Sequence, residues 1–260
     1  MARGLRDIAG EAILLAGGGR AILMQIAHPA VGRGVAEHSD FASRPLDRLH
    51  ATMTYVYAVV YGTEAEITAV RRRVNLAHSP VHGKTAAGRP AYDAFDPELQ
   101  LWVAATLYET AVDLYQRVFG RFDEESAERV YREYGVLGTS LQVPAGAWPP
   151  DRAAFLDYWK SVLPTLRVTD ETRRVAREIL RPSAVPLWLK AVMPLARLMT
   201  VGLLPEQLRA AFGLAMTPRN QRRFDRWIRI MAAVFPRLPV RIRRSMRDHE
   251  LAELRRSLGE

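Results

Sequence analysis

Residues 63–83 read TEAEITAVRRRVNLAHSPVHG, and this stretch indicates how the chain folds. Thr63 and Glu66 have the spacing of a capping box, which opens an α-helix. Apolar residues then recur at helical spacing, and a proline two residues after His78 disfavours further helix. We therefore predict a helix that begins after Thr63 and ends near His78, with His82 just beyond its end.

The same helical spacing recurs along the whole chain, and the alternation typical of strands is nearly absent. The proline after His28 predicts a helix end there, and Ser43 is the expected N-cap of the helix that follows. Caps, prolines and glycines bound further predicted helices at residues 45–62, 96–120, 124–134, 149–162, 169–180 and 220–234. The sequence thus predicts an all-α, multi-helix fold in one domain, residues 1–260, which ends in an exposed, basic C-terminal tail at 235–260.

Residues 183–204 are almost wholly apolar and are broken by Pro186 and Pro194. We favour a buried helix pair as the interpretation of this segment. Two functional interpretations stay open. The segment can form an apolar wall over a substrate, or a helix at a membrane interface from which Lys190 and Arg197 reach the headgroups.

Cysteine is absent, which excludes several kinds of site. Disulfides, thiolate nucleophiles, iron–sulfur clusters, Cys-ligated zinc and the thioether attachment of c-type haem all require it. The apolar run near the amino terminus is interrupted by three glycines, so we predict neither a signal peptide nor a spanning helix. The expected location is the cytoplasm.

The chain carries a formal net charge of +9 and a pI near 10.2. The basic residues are mostly arginines spread along helices, with short runs at 71–73, 222–223 and 241–244. No aromatic residues interleave these runs as a nucleic-acid stacking surface needs, so we expect no nucleic-acid partner. The basic tail is suited to peripheral contact with lipid headgroups.

The histidines are the candidate metal ligands, and there are six: His28, His38, His50, His78, His82 and His249. His50 and His249 lie among polar residues and are expected to be solvated. On a continuous helix His78 and His82 would share a face, as in zinc proteases, but no glutamate follows His78 and a proline separates the pair. A histidine at a helix end facing an apolar pocket suits a b-type haem instead. Spacing alone leaves His78 and His82 level.

Several segments, taken together, resemble one family. They are QIAHPAV (25–31), GVAEHS (34–39), PLDRL (45–49), VVYGT (59–63), NLAHSPVHG (75–83), GRPAY (88–92), DPELQLWV (96–103) and LPEQLR (204–209). This combination resembles the MpaB-type oxygenases, whose catalytic domain is shared with rubber oxygenase (latex clearing protein). The resemblance covers nearly the whole chain and implies a globin-related helical core with haem b, and oxidative attack by dioxygen on apolar, often isoprenoid, double bonds.

The resemblance also implies site residues. His78 matches the family's His-x-x-Val-x-Gly motif and is the implied proximal iron ligand, with His82 as second choice. Arg48 and Thr52 match an Arg/Thr pair near the haem, where they would steady dioxygen or a propionate. His28 or His38 would serve as a distal polar group or cap the helix end before Pro29.

Two departures from the family pattern bear on the substrate. Ala51 stands where rubber oxygenases carry a distal lysine, and Ala104 stands where many relatives have histidine. The first disfavours rubber itself, and the second removes a polar contact. The leading hypothesis is a haem-dependent oxygenase of an apolar, unsaturated lipid-like substrate. The alternatives are a non-catalytic haem or lipid carrier, and a ligand-responsive regulator whose basic tail binds nucleic acid.

Overall fold

A computed structural model describes residues 4–38, 45–86, 88–182 and 186–259 and shows a mostly helical domain. The helices are α1 (Leu5–Ile8), α2 (Gly18–Ala27), α3 (Pro29–His38), α4 (Pro45–Tyr61), α5 (Glu64–His78), α6 (Pro97–Phe119), α7 (Glu124–Tyr134), α8 (Val136–Thr139), α9 (Arg152–Val162), α10 (Asp170–Leu180), α11 (Leu187–Leu203), α12 (Glu206–Ala211), α13 (Pro218–Val234), α14 (Val240–Arg243) and α15 (Ser245–Leu258). The predicted all-α class is confirmed. A relation of this core to the globins stays a prediction.

Helices α4 and α5 form an antiparallel pair joined by a short turn. The predicted capping box is confirmed, because Oε2 of Glu66 accepts a 2.6 Å hydrogen bond from the Thr63 amide and the Thr63 hydroxyl accepts one of 3.3 Å from the Glu66 amide. The two helices pack against each other along their length. The start of α4 therefore lies beside the end of α5, where His78 stands. Ser43, the predicted N-cap of α4, lies outside the described residues.

Between α5 and α6 the chain forms a small antiparallel hairpin. Strand β1 (His82–Gly83) pairs with β2 (Tyr92–Asp93), with His82 opposite Asp93. Helix α6 then begins at its predicted N-cap, Asp96, whose carboxylate accepts a 2.8 Å hydrogen bond from the Glu98 amide. The hairpin and this cap place the turn at residues 94–98 next to the end of α5.

The main core is built on α6 and is rich in aromatic rings. Tyr108 contacts four of them edge-on at centroid distances of 4.9–6.2 Å: Tyr131, Tyr134, Trp148 and Phe155. One turn and a half earlier on α6, Trp102 stacks on Trp159 of α9 at 5.2 Å. Such ring pairs add to the stabilisation from area burial, so α6 is the rigid centre of the fold.

The apolar segment at 183–204 differs from the favoured prediction of a buried helix pair, which is wrong. Helix α11 is one helix with Pro194 inside it, and only its carboxyl half is buried, at Leu198, Met199 and Leu203. That half packs on α2 and α13, whereas Leu187 and Trp188 remain 83% and 62% exposed. The run of apolar residues does not reveal which half finds a packing partner. Within the described residues, no helix is both long and apolar enough to cross a membrane.

The C-terminal tail, which the sequence predicts to be exposed and basic, packs on α4 through α15. Leu251 and Leu254 are buried, and Glu250 is only 3% exposed. One carboxylate oxygen of Glu250 lies 2.5 Å from Nδ1 of His50, and the other accepts a 2.7 Å hydrogen bond from Thr54. The apolar face of α15 therefore docks on the core, while its arginines stay at the surface.

Three further ion pairs, made by two buried carboxylates, join the last part of the described chain to earlier segments. Glu11, 2% exposed, contacts Arg243 at 3.2 Å and Arg244 at 3.3 Å. The buried carboxylate of Glu66 accepts a 2.7 Å hydrogen bond from Nε of Arg255. Buried carboxylates need such partners to remain ionised.

Candidate functional site

His78 is the last residue of α5, and its imidazole is half-buried. The ring lies edge-on to Phe95, in the turn after the hairpin, with centroids 6.3 Å apart. Its Nδ1 atom is buried and has no hydrogen-bond partner among the described residues. A buried nitrogen without a partner is uncommon in folded proteins and indicates a position that can take up a ligand.

Burial lowers the pKa of His78, and the positive charge of Arg48 lowers it further. Both effects disfavour the imidazolium form. The neutral ring is therefore favoured at neutral pH. A neutral imidazole has a free lone pair, which is the form that binds a transition metal.

Arg48, Ala51 and Thr52 occupy the exposed side of the first turns of α4. The Thr52 hydroxyl donates a 2.9 Å hydrogen bond to the carbonyl oxygen of Arg48, so its oxygen is left as an acceptor. The influence of Arg48 on His78 shows that these two predicted residues lie near each other. The antiparallel pairing of α4 and α5 brings them together although thirty positions separate them in sequence.

A chain of side-chain amides holds the end of α5 in place. Nε2 of Gln142 donates a 3.0 Å hydrogen bond to Oδ1 of Asn75, one turn before His78. The Gln142 backbone amide donates to Oε1 of Gln100 at 2.9 Å, and Nε2 of Gln100 donates to the Ala94 carbonyl at 2.7 Å. These contacts link α5, α6 and the turn that carries Phe95. Sequence reasoning missed Gln100 and Gln142, because isolated glutamines have no motif.

His28 lies between α2 and α3, near Asp96 and Glu98 of the segment that carries Phe95. Its Nδ1 is also buried without a partner among the described residues, and its ring is 6.4 Å from that of Trp102. Burial lowers the pKa of His28, although Asp96 and Glu98 oppose that shift. His28 and His78 thus both lie near the segment at 95–98, and the lowered pKa of each favours the neutral ring.

A depression of about 630 Å³ opens at this segment. It is lined by Asp93, Phe95, Asp96, Pro97 and Glu98. The depression is shallow and polar on one wall, and the Phe95 ring connects it to His78. The depression therefore lies beside the end of α5.

The two remaining predicted histidines have different surroundings. Nε2 of His38 lies 2.8 Å from the Tyr92 hydroxyl, which itself donates a 2.7 Å hydrogen bond to Glu37, so His38 is the donor to Tyr92. His82 is exposed on β1, opposite Asp93.

Ala104, where relatives often carry histidine, is buried in α6 and lies against Gly138. Among the described residues, no three His, Asp or Glu side chains lie close enough together to hold a metal ion by themselves.

Comparison with known proteins places the chain in a family. Residues 5–233 match the family described as the ER-bound oxygenase mpaB/B'/rubber oxygenase catalytic domain. Two uncharacterized proteins, one from Mycobacterium bovis and one from Mycobacterium tuberculosis, are each 39% identical to the chain over 212 residues, which is 80% of this chain and 82% of each relative. No solved structure matches the chain. The protein therefore belongs to the MpaB and rubber oxygenase catalytic-domain family.

Proposed function

We propose that this protein is an oxygenase that binds haem b through His78 and oxidises an apolar, unsaturated, lipid-like substrate. Membership of an oxygenase family supports the reaction class. The observation that carries the proposal is the half-buried, neutral imidazole of His78, whose buried Nδ1 has no partner among the described residues.

The residues around His78 fit a haem better than a bare cation. One histidine would be enough to hold a haem on the protein, because the porphyrin itself supplies most of the ligands of the iron. A bare transition-metal ion needs three or four protein ligands, and no such group lies among the described side chains. Phe95 provides the apolar contact that a porphyrin edge requires.

A haem bound at this position would supply an iron that binds and activates dioxygen. The chain's own groups would orient and polarise the reactants. The guanidinium of Arg48 provides a fixed positive charge, which suits a propionate or a polarised oxygen. The hydroxyl oxygen of Thr52 accepts a hydrogen bond, since its proton is already donated to the Arg48 carbonyl.

His28 is the better candidate for the distal polar group. Its Nδ1 has no partner among the described residues, whereas the His38 ring is engaged with Tyr92. A neutral His28 could donate one hydrogen bond from a ring N–H to a polar atom of a reactant. His82, which is exposed on the hairpin, is a less suitable iron ligand than His78 because its surroundings exclude water poorly.

The substrate class follows from what the site lacks. Ala51 offers no amine at the position where rubber oxygenases carry lysine, and Ala104 offers no imidazole. Of the residues that the resemblance places near the haem, only Arg48 then carries a fixed charge. An apolar molecule with a reactive double bond is the class that such a site would accept.

The test is an absorption spectrum of the purified protein followed by one substitution. We expect a Soret band that His78→Ala abolishes, while His249→Ala, which removes an exposed histidine, leaves it unchanged. Full haem occupancy in His78→Ala would move the ligand elsewhere. Oxygen consumption with unsaturated lipids then separates an oxygenase from a non-catalytic haem or lipid carrier, which would bind haem but consume no oxygen.

A further inference from the structure

The largest exposed apolar residues of α11 and α13 lie far in sequence from the site at His78. On α11 they are Leu187, Trp188 and Val192, which are 83%, 62% and 48% exposed. On α13 they are Trp227, Ile230 and Val234. We call these six residues the α11–α13 face. Large apolar side chains exposed together indicate a surface that another body covers.

Helical spacing groups these residues on each helix, and packing joins the two helices. Trp188 and Val192 are four apart on α11, and Trp227, Ile230 and Val234 are three and four apart on α13, so each set shares one side of its helix. The two helices pack on each other through buried residues, among them Leu203 and Phe224. The exposed apolar residues therefore stand on two helices that contact each other.

The charge around this face has one sign. Helix α13 contains five arginines and one acidic residue, Asp225, and α11 contains Lys190 and Arg197 with no acidic residue. Among the described residues no carboxylate oxygen lies within 4.0 Å of the arginine side chains of α13. Many arginines elsewhere are paired, for example Arg20, Arg33 and Arg117. The arginines of α13, all exposed, are Arg219, Arg222, Arg223, Arg226 and Arg229.

We propose that the α11–α13 face docks the protein on an anionic membrane surface. The two tryptophans have an apolar body and a polar N–H, which suits the boundary between acyl chains and headgroups. The arginines beside them meet the lipid phosphates with charge-assisted hydrogen bonds. The described helices do not cross a membrane, so this contact is peripheral: the face lies on the lipid surface.

Docking in this way would serve a lipid-like substrate, but it does not depend on haem binding. The face is built from α11 and α13, whereas the proposed haem site is built from α4, α5 and the turn at 94–98. The two proposals can therefore fail separately.

The experiment measures binding of the full chain to vesicles by co-sedimentation. We expect binding to phosphatidylcholine mixed with phosphatidylglycerol, weak binding to phosphatidylcholine alone, and a loss of binding as salt is raised. The double variant Arg222→Gln/Arg226→Gln should bind the anionic vesicles about 30-fold more weakly, since each basic residue near such a surface contributes roughly fivefold. Trp188→Glu should weaken binding by at least about tenfold.

Matched controls test whether the effect belongs to this face. Leu156→Glu changes an exposed leucine of α9, and Arg71→Gln/Arg72→Gln removes two exposed arginines of α5. Both variants should bind vesicles like the parent protein. Equal losses in the controls, or equal binding to vesicles without phosphatidylglycerol, would overturn the proposal. The proposal would also be overturned if the parent protein failed to bind vesicles and light scattering showed a dimer that Trp188→Glu dissociates. The face would then join two copies of the chain.

Discussion

Gln142 and Asn75 join two parts of the chain that are 67 positions apart, through a 3.0 Å hydrogen bond from the amide of one to the carbonyl oxygen of the other. The same glutamine is hydrogen-bonded to Gln100, which is 7% exposed. His78 stands one turn beyond Asn75, so this contact determines where α5 ends relative to α6.

Gln142→Ala should destabilise the protein by about 1–3 kcal/mol, because it leaves Oδ1 of Asn75 without its donor and removes the hydrogen bond between the Gln142 and Gln100 side chains. Urea unfolding followed by circular dichroism measures this free energy. Gln221→Ala, which removes an exposed glutamine of α13, is the control and should change stability by less than about 0.5 kcal/mol. Equal stabilities for the two variants would show that the amide chain contributes nothing.

Two adjacent glycines at the start of α2 should respond in opposite ways to alanine. A Cβ on Gly19 would collide with the Thr200 side chain of α11, whereas a Cβ on Gly18 meets nothing within 4 Å. Gly19→Ala should therefore destabilise by about 1–3 kcal/mol through overpacking. Gly18→Ala should be neutral or stabilise by up to about 1 kcal/mol, since it lowers the entropy of the unfolded chain. Thermal unfolding of both variants checks the pair, and a loss of stability in Gly18→Ala would contradict the packing.

The stability of the protein should fall in acid, in part through Glu66. Burial raises the pKa of Glu66, but hydrogen bonds from Thr63 and Arg255 outweigh this effect and hold its pKa below the usual value. Because the folded pKa lies below the unfolded one, the stabilisation is complete above the unfolded pKa and is lost as the pH falls through the folded pKa.

Glu66→Gln should cost about 1.5–3 kcal/mol at neutral pH, the range for a hydrogen bond to a charged group, and should flatten the acid limb of the stability curve. Urea unfolding across the acid range measures both effects. Glu64→Gln, two residues earlier and exposed, should leave the curve nearly unchanged. An unaltered acid limb in Glu66→Gln would mean that other carboxylates govern acid unfolding.

If a haem binds at His78, its retention should depend on pH through the same residue. Burial and the charge of Arg48 both lower the pKa of His78, so protons compete with iron only once the pH falls below the usual histidine range. Arg48→Gln removes one of these two effects and raises the pKa. The Soret band should then be lost at a higher pH in Arg48→Gln than in the parent protein.

Absorbance titrations at low and high salt check this prediction, since salt screens the influence of an exposed arginine. The shift between parent and variant should shrink as salt is added. Arg72→Gln removes an exposed arginine of α5 and should not move the pH midpoint at which the Soret band is lost. A midpoint in Arg48→Gln at the same or lower pH than in the parent protein would contradict the electrostatic coupling of Arg48 to His78.

The helix boundaries could be predicted because their signals are local. The capping box of Thr63 and Glu66 and the N-cap at Asp96 each involve residues within one turn, so spacing is enough to reveal them. The burial of α11 could not be predicted in this way. An apolar run has the same spacing whether it faces a helix or solvent, and only its carboxyl half has a packing partner.

In the candidate site, too, some features could be predicted from the sequence and others depend on distant packing. The pairing of Arg48 with His78 was indicated by the resemblance and follows from the turn between α4 and α5. The amides of Gln100 and Gln142 and the contact of His50 with Glu250 depend on distant packing, and single residues of these types carry no motif. The docking of α15 was missed because its many charges obscured two buried leucines.

The burial of Glu11 against Arg243 and Arg244 has a consequence for the order in which the chain folds during synthesis. Arg243 and Arg244 leave the ribosome more than 230 residues after Glu11, and Arg255 leaves it 189 residues after its partner Glu66. Until then both carboxylates either stay hydrated or are buried without a counter-charge, which is unfavourable. The amino-terminal helices therefore reach their final packing only after α14 and α15 have left the ribosome, when α15 can dock on α4.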